Sequence, residues 1–138
     1  MFLDEKQTHM SYLKTQNHNL NLRSNVKYRA YQFSLSIIVF VKDFPEKRVY
    51  WIIEDQLLRC ATSIGANLVE AKSSSSKRDF IKFYEIALKS TNETIYWLML
   101  LEDSKLEKVD KVEPLLSEAK EIGKMIASSL LTMKGKRS

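Results

Sequence analysis

The sequence predicts an all-α fold, an up-down-up-down antiparallel four-helix bundle, and three observations carry that expectation. Three glycines and two prolines in 138 residues leave too little turn material for a chain of many short strands and tight hairpins. Apolar residues recur at mixed three- and four-residue spacing over four long segments, and strand-type alternation is not sustained anywhere. The connections between those segments are only a few residues long, which makes consecutive helices antiparallel neighbours. A chain of this length forms one domain around one core. Its 44% hydrophobic and 28% charged residues are ordinary for a packed soluble domain.

Residues 1–23 are rich in Asn, Gln, Thr and His with scattered apolar positions, and read as a loosely ordered polar arm. The bundle spans 24–133. Its first helix starts at Ser24 or Asn25, either of which can serve as N-cap, and runs to Asp43. Two adjacent ridges, one through Tyr28, Tyr31, Leu35 and Ile38 and one through Phe33, Ile37, Phe40 and Phe44, predict contact with two surfaces. Phe44-Pro45 ends this helix, because the residue before proline is pushed out of the α region. The second helix covers 47–71, and Gly65 within it, about 1 kcal/mol worse than alanine, predicts a close neighbouring backbone or a slight bend. Ser73-Ser74-Ser75-Ser76 forms the connection and supplies a cap for the helix that follows. The third helix, 77–104, repeats apolar residues from Phe80 to Leu101 and at its length of about 40 Å matches the second. The fourth, 108–133, repeats Val112, Leu116, Ala119, Ile122, Ile126 and Leu130, and Pro114 in its opening turns points to a start at Val112 or Glu113. Residues 134–138 form a basic tail in which Gly135 is a helix stop.

Several function classes are disfavoured by what these residues can do. Cys60, the only cysteine, lies on an apolar stripe and reads as a small core residue, so no disulfide or cysteine-based metal site forms within one chain. His9 and His18 lie in the arm without a carboxylate at helical spacing, and no Glu-x-x-His occurs, so no metal is expected. Gly-rich phosphate loops are absent, and no serine stands in a strand-to-helix elbow. The expectation is a protein that is not an enzyme, with no catalytic residue and no cofactor. The longest apolar run, Ile37 to Val41, is far short of the roughly 20 residues that span a bilayer, and the amino terminus has no signal-type apolar region. A cytoplasmic protein without a membrane partner is therefore expected.

The most informative stretch runs from Arg59 to Ala71. At about 100° per residue, Gln56, Arg59, Ser63, Asn67 and Glu70 fall within an arc of roughly 80°, beside an apolar stripe of Ile53, Leu57, Cys60, Ala61, Ile64 and Leu68. The stripe builds core. The ridge mixes a guanidinium, a hydroxyl, an amide and a carboxylate, and such a set either satisfies itself or meets a partner. Ser90 and Glu93 fall among core-spaced positions of the third helix and can join it in a network, internal or facing another subunit, for example Glu93 with Arg59. A charged pair of that kind fixes register between helices or subunits more than it adds stability. Val49 to Ile53 is apolar all round, which places it deep in a core or against another subunit.

The formal net charge is +5. Lys72, Lys77, Arg78, Lys82 and Lys89 concentrate positive charge around the second connection, opposed by Asp79 and Glu85. Lys77 and Arg78 occupy a first helical turn, where the dipole disfavours cations, so local stability does not explain them. Such a cluster points to a polyanionic partner, nucleic acid foremost. The competing reading is a solvated lysine face on a structural or protein-protein interaction module. Phe80, Phe83, Tyr84, Tyr96 and Trp97 recur at helical spacing and read as core rather than as a base-stacking platform.

Phe44-Pro45, the run from Gln56 to Glu70, Arg78-Asp79-Phe80 and the run from Ala87 to Glu93 together resemble the four-helix-bundle proteins encoded by intervening sequences of bacterial 23S ribosomal RNA genes. The accessory variability determinant of diversity-generating retroelements belongs to the same group. The resemblance covers about residues 24 to 131, with Ser63-Ile64-x-x-Asn67-x-x-Glu70 its most specific part. It implies a homo-oligomer, a pentameric ring of bundles, with a basic surface. In the retroelement branch it further implies binding to nucleic acid and to a reverse transcriptase. Arg59, Ser63, Asn67 and Glu70 match the family's polar positions, as do Ser90 and Glu93 in the third helix. Ala71 stands where the family usually has glycine, the four serines replace a loop that often carries a further basic residue, and the polar arm has no family counterpart.

Overall fold

The computed structural model describes residues 25–135, and these form four α-helices and no strand: α1 Val26–Val41, α2 Arg48–Ser73, α3 Lys77–Asp103 and α4 Val109–Met133. The polar arm and the chain beyond residue 135 lie outside the described residues. Side-chain caps set two of the starts. Asn25 caps α1, its Oδ1 accepting from the Tyr28 amide at 3.1 Å, and Ser76 caps α3, its Oγ accepting from the Asp79 amide at 3.1 Å. Helix α4 begins at Val109, so Pro114 lies inside its second turn and does not mark the start. The helix tolerates one missing amide donor there because Val112 and Leu116, on either side, are buried in the core. Lys105, at φ 61° in the α3–α4 connection, takes the left-handed conformation, and Gly135 closes α4 at φ 70° with its amide donating to the Thr132 carbonyl.

Each helix packs on two neighbours, in the cyclic order α1, α2, α3, α4 and back to α1. Ser63 faces Ser90, Cys60 faces Thr94, and the Tyr50 hydroxyl donates to the Leu106 carbonyl at 2.8 Å, so positions on α3 descend as those on α2 rise. The same antiparallel sense joins α1 to α2, where Ser34 reaches Ala61 and Gly65 faces Ala30. A methyl group built on Gly65 would lie 3.6 Å from the Ala30 Cβ and 3.7 Å from its carbonyl carbon, an ordinary contact, so the α1 backbone neighbours this glycine yet leaves room for an alanine. Arg29 on α1 closes the ring with a two-pronged ion pair to Glu118 on α4, at 2.5 and 3.0 Å.

The core follows the periodic stripes. Phe33 and Ile37 from α1, Leu57 and Ile64 from α2, Leu98 and Leu101 from α3, and Ile122 and Ile126 from α4 are excluded from water. Thr91 and Thr94 are buried with them, and their hydroxyls donate to the carbonyls one turn back, Ala87 and Ser90, each at 2.8 Å. The end of the bundle holding the α1–α2 connection is sealed by aromatic edges, Phe40 on Phe44 at 5.1 Å and Phe44 on Tyr50 at 5.4 Å. No helix among the described residues is long and apolar enough to cross a membrane.

Near that same end Glu102 on α3 faces Glu113 on α4, and its Oε2 is buried without a donor. Burial, then a hydrogen bond shared with Glu113 and the charges of Glu113 and Asp103, hold its carboxyl above the usual range, while Lys120 pulls the other way. The folded chain therefore binds this proton more tightly than the unfolded chain does. The resulting stability is fully present below the unfolded carboxyl range and is lost as pH rises through the folded value. Glu102→Gln, which keeps a donor toward Glu113 and removes the charge, is expected to raise the melting temperature at pH 8. The gain should vanish by pH 4, and an equal gain at both values would show that the carboxyl pair is not its source.

Candidate functional site

Antiparallel packing brings the starts of α1 and α3 and the ends of α2 and α4 to one end of the bundle. Lys72 lies in the last turn of α2, Lys77 and Arg78 open α3, and Lys82 follows one turn later, all exposed. An open groove on this surface is lined by Lys77, Arg78 and Lys82 together with Asp79, Ile81 and Glu85, so three cations share it with two carboxylates. The structure adds Lys27, which the sequence did not single out. Its half-buried ammonium lies against Lys72, and burial first, then the Lys72 charge, push it down from the ordinary lysine value. The signal was available only with topology in hand: once α1 and α2 are antiparallel, the first turn of α1 must sit beside the last turn of α2. Lys134 at the end of α4 pairs with Glu85 at 3.4 Å. Lys27, Lys72, Lys77, Arg78 and Lys82 form no ion pair within the described residues. Lys89 stands apart, about 18 Å along α3 from Lys77.

The polar ridge of α2 divides into two halves. Its inner half forms a network with α3: the Ser90 hydroxyl donates to Ser63 Oγ at 2.9 Å, and Asn67 Nδ2 donates to the Ser63 hydroxyl at 3.0 Å and to its carbonyl at 2.8 Å. Beside it the Thr94 hydroxyl oxygen lies 3.3 Å from the Cys60 sulfur. Burial pushes the Cys60 thiol up, against the opposing pull of the Thr94 hydrogen bond, so it stays protonated and packs as a core residue. The outer half points to solvent. Among the described residues Arg59 bonds only to the Gln56 amide oxygen on its own helix, Glu93 accepts from Trp97 Nε1 at 3.3 Å, and Glu70 is exposed. The Arg59–Glu93 pair expected from spacing does not form within the chain, although both residues lie along the same α2/α3 boundary.

The aromatic series of α3 also divides. Phe80 stacks on Tyr84 at 4.9 Å, half-buried, whereas Tyr96 is 57% exposed with its ring edge-on to Trp97 at 5.4 Å. Tyr96 is therefore not core, as its spacing had suggested, because the α3 stripe that faces the bundle runs through Thr91, Thr94, Leu98 and Leu101. The apolar start of α2 resolves similarly: Tyr50 and Ile53 face inward, while Val49, Trp51 and Ile52 are 45–57% exposed. No group of His, Cys, Asp and Glu among the described residues is placed to hold a metal ion.

A family model for the 23S rRNA-intervening sequence protein matches residues 23–128, which includes the α2 ridge, the four-serine connection and the opening of α3. A solved structure from Bacteroides thetaiotaomicron, a protein of unknown function from the S23 ribosomal protein family, is 35% identical and superimposes with a TM-score of 0.72. That alignment covers 76% of this chain and 97% of the other. No curated protein matches. Four antiparallel helices with the Ser63–Asn67–Ser90 network at their α2/α3 boundary, in a chain that the family model matches from before α1 to within α4, place this protein in the 23S rRNA-intervening sequence protein family.

Proposed function

We propose that the chain is a non-enzymatic homo-oligomer that binds nucleic acid through the basic end of its bundle. The observation that supports this reading is the convergence of Lys27, Lys72, Lys77, Arg78 and Lys82 from three helices without an ion-pair partner among the described residues. Cations gathered in this way repel one another, and a phosphate backbone relieves that repulsion while releasing its own counterions. The opposite end offers no such convergence, because Lys105, Lys108 and Lys111 alternate there with Glu107 and Asp110. Repeating the basic end in an oligomer multiplies a modest single-site attraction into strong attachment.

Titration of a fluorescein-labelled single-stranded RNA and DNA with the full chain, over a series of salt concentrations, tests this. Engagement of five cations is expected to give a slope of log K against log salt of about −3 to −4. Binding that is absent or barely responds to salt would reject it. Recovery of the chain from its native source with a stoichiometric protein partner and no nucleic acid would favour the interaction-module reading instead.

A further inference from the structure

Helix α2 carries two seams. The first, through Ile53, Leu57, Cys60, Ile64 and Leu68, faces its own bundle. The second, through Val49, Ile52, Gln56 and Arg59, repeats at three, four and three residues on the side of α2 turned toward α3 and away from the core. Across the boundary, Glu93, Trp97 and Leu100 repeat at four and three residues on α3, with Tyr96 beside them. The register that sets Cys60 against Thr94 brings Ile52 within a turn of Leu100, and Arg59 within a turn of Glu93. One continuous face thus has an apolar half, with Val49 at 45%, Ile52 at 50% and Leu100 at 37% exposure, and a polar half of Arg59 and Glu93, with Tyr96 and Trp97 between them.

Aromatic and aliphatic residues around an arginine are the composition of a buried protein contact, and Val49, Ile52, Tyr96 and Leu100 gather on one exposed face where a partner would shield them from water. We propose that this α2/α3 face packs against a second copy of the chain, with Arg59 of one copy paired to Glu93 of the other. The inference rests on the homo-oligomeric part of the reading above and names the contact that builds the oligomer. The charges on this side are mixed, Asp55 and Arg59 one turn apart on α2 and Lys89 and Glu93 one turn apart on α3, so the face has little net attraction for phosphates. A copy of itself supplies the opposite charge for each and an apolar surface for the apolar half. Neither charge is engaged by the other within one chain, which leaves both available across copies.

Native mass measurement and sedimentation of the full chain test the contact, using wild type, Arg59→Glu, Glu93→Arg and the double reversal. Wild type is expected to be an oligomer at micromolar concentration. Each single reversal should weaken self-association roughly tenfold or more, and the double reversal should restore it. Both residues exchanged, Arg59 and Glu93, are exposed on the surface, so melting curves of the dissociated variants should show a folded bundle; Tyr96→Glu, also at an exposed position, provides a further folded variant expected to dissociate. A monomeric wild type, single reversals with unchanged mass, or a double reversal that fails to recover would overturn the proposal. The nucleic-acid reading is scored separately on an oligonucleotide short enough to engage one subunit, whose binding should survive dissociation. Loss of that binding on Arg59→Glu with the oligomer intact would assign the face to nucleic acid and overturn the self-contact.

Discussion

Simultaneous reversal of Lys77, Arg78 and Lys82 to glutamate is expected to raise the dissociation constant for single-stranded nucleic acid by roughly two orders of magnitude or more at low salt. Three phosphate contacts are lost and three repulsive charges replace them, so the salt slope should also fall in magnitude by about 2. The fold should be unaffected. All three side chains are exposed, and glutamate in the first turn of α3 suits the helix dipole better than the native cations do. A matched reversal of Lys105, Lys108 and Lys111 at the opposite end changes net charge by the same amount and should cost much less, because those lysines alternate with acids. Anisotropy titrations of both triple variants separate a localised site from a general charge effect. Equal losses would mean that net charge, not the basic end, governs binding.

Leu98→Ala should destabilise the bundle by about 3 kcal/mol, within the range found when a fully buried leucine leaves a cavity. For a domain of this size that corresponds to a fall in melting temperature of about 10 °C. Leu98 is 0% exposed on the α3 stripe facing the core, and alanine is the better helix former, so the loss reports packing and not helix propensity. Leu100, two residues away and 37% exposed, provides the contrast. Leu100→Ala should change the stability of the isolated bundle by no more than about 0.5 kcal/mol, yet weaken self-association. Thermal melts of the two variants with native mass measurement check both. Comparable destabilisation by the two would show that the outward face of α3 packs within its own bundle.

How much could be read from residues alone differs between fold and site. The helices were legible because amphipathic periodicity reports a one-sided environment that exists in nearly every arrangement of the bundle. The caps were legible to within a residue or two, as Ser24 or Asn25 and as one of the later serines, because a cap acts on amides within its own first turn; the fold selects Asn25 and Ser76. Pro114 was misleading as a start signal, since the burial of Val112 and Leu116 outweighs one absent hydrogen bond. In the site, Lys72, Lys77, Arg78 and Lys82 are close in sequence and could be grouped by inspection. Lys27 lies 45 positions before Lys72 and joins it only through the pairing of α1 with α2.

The polar ridge shows the same division. By itself the sequence determined that Gln56, Arg59, Ser63, Asn67 and Glu70 share one side of a helix, because the 3.6-residue turn is a local property of the backbone. Only the tertiary structure decided which of them turn inward. The antiparallel register places the short Ser63 and Asn67 side chains opposite Ser90, within reach of a direct hydrogen bond, and leaves the longer Arg59 and Glu93 on the outer rim of the same boundary. Helical pitch follows from each residue and its near neighbours, whereas register follows from how four apolar stripes fill one core together.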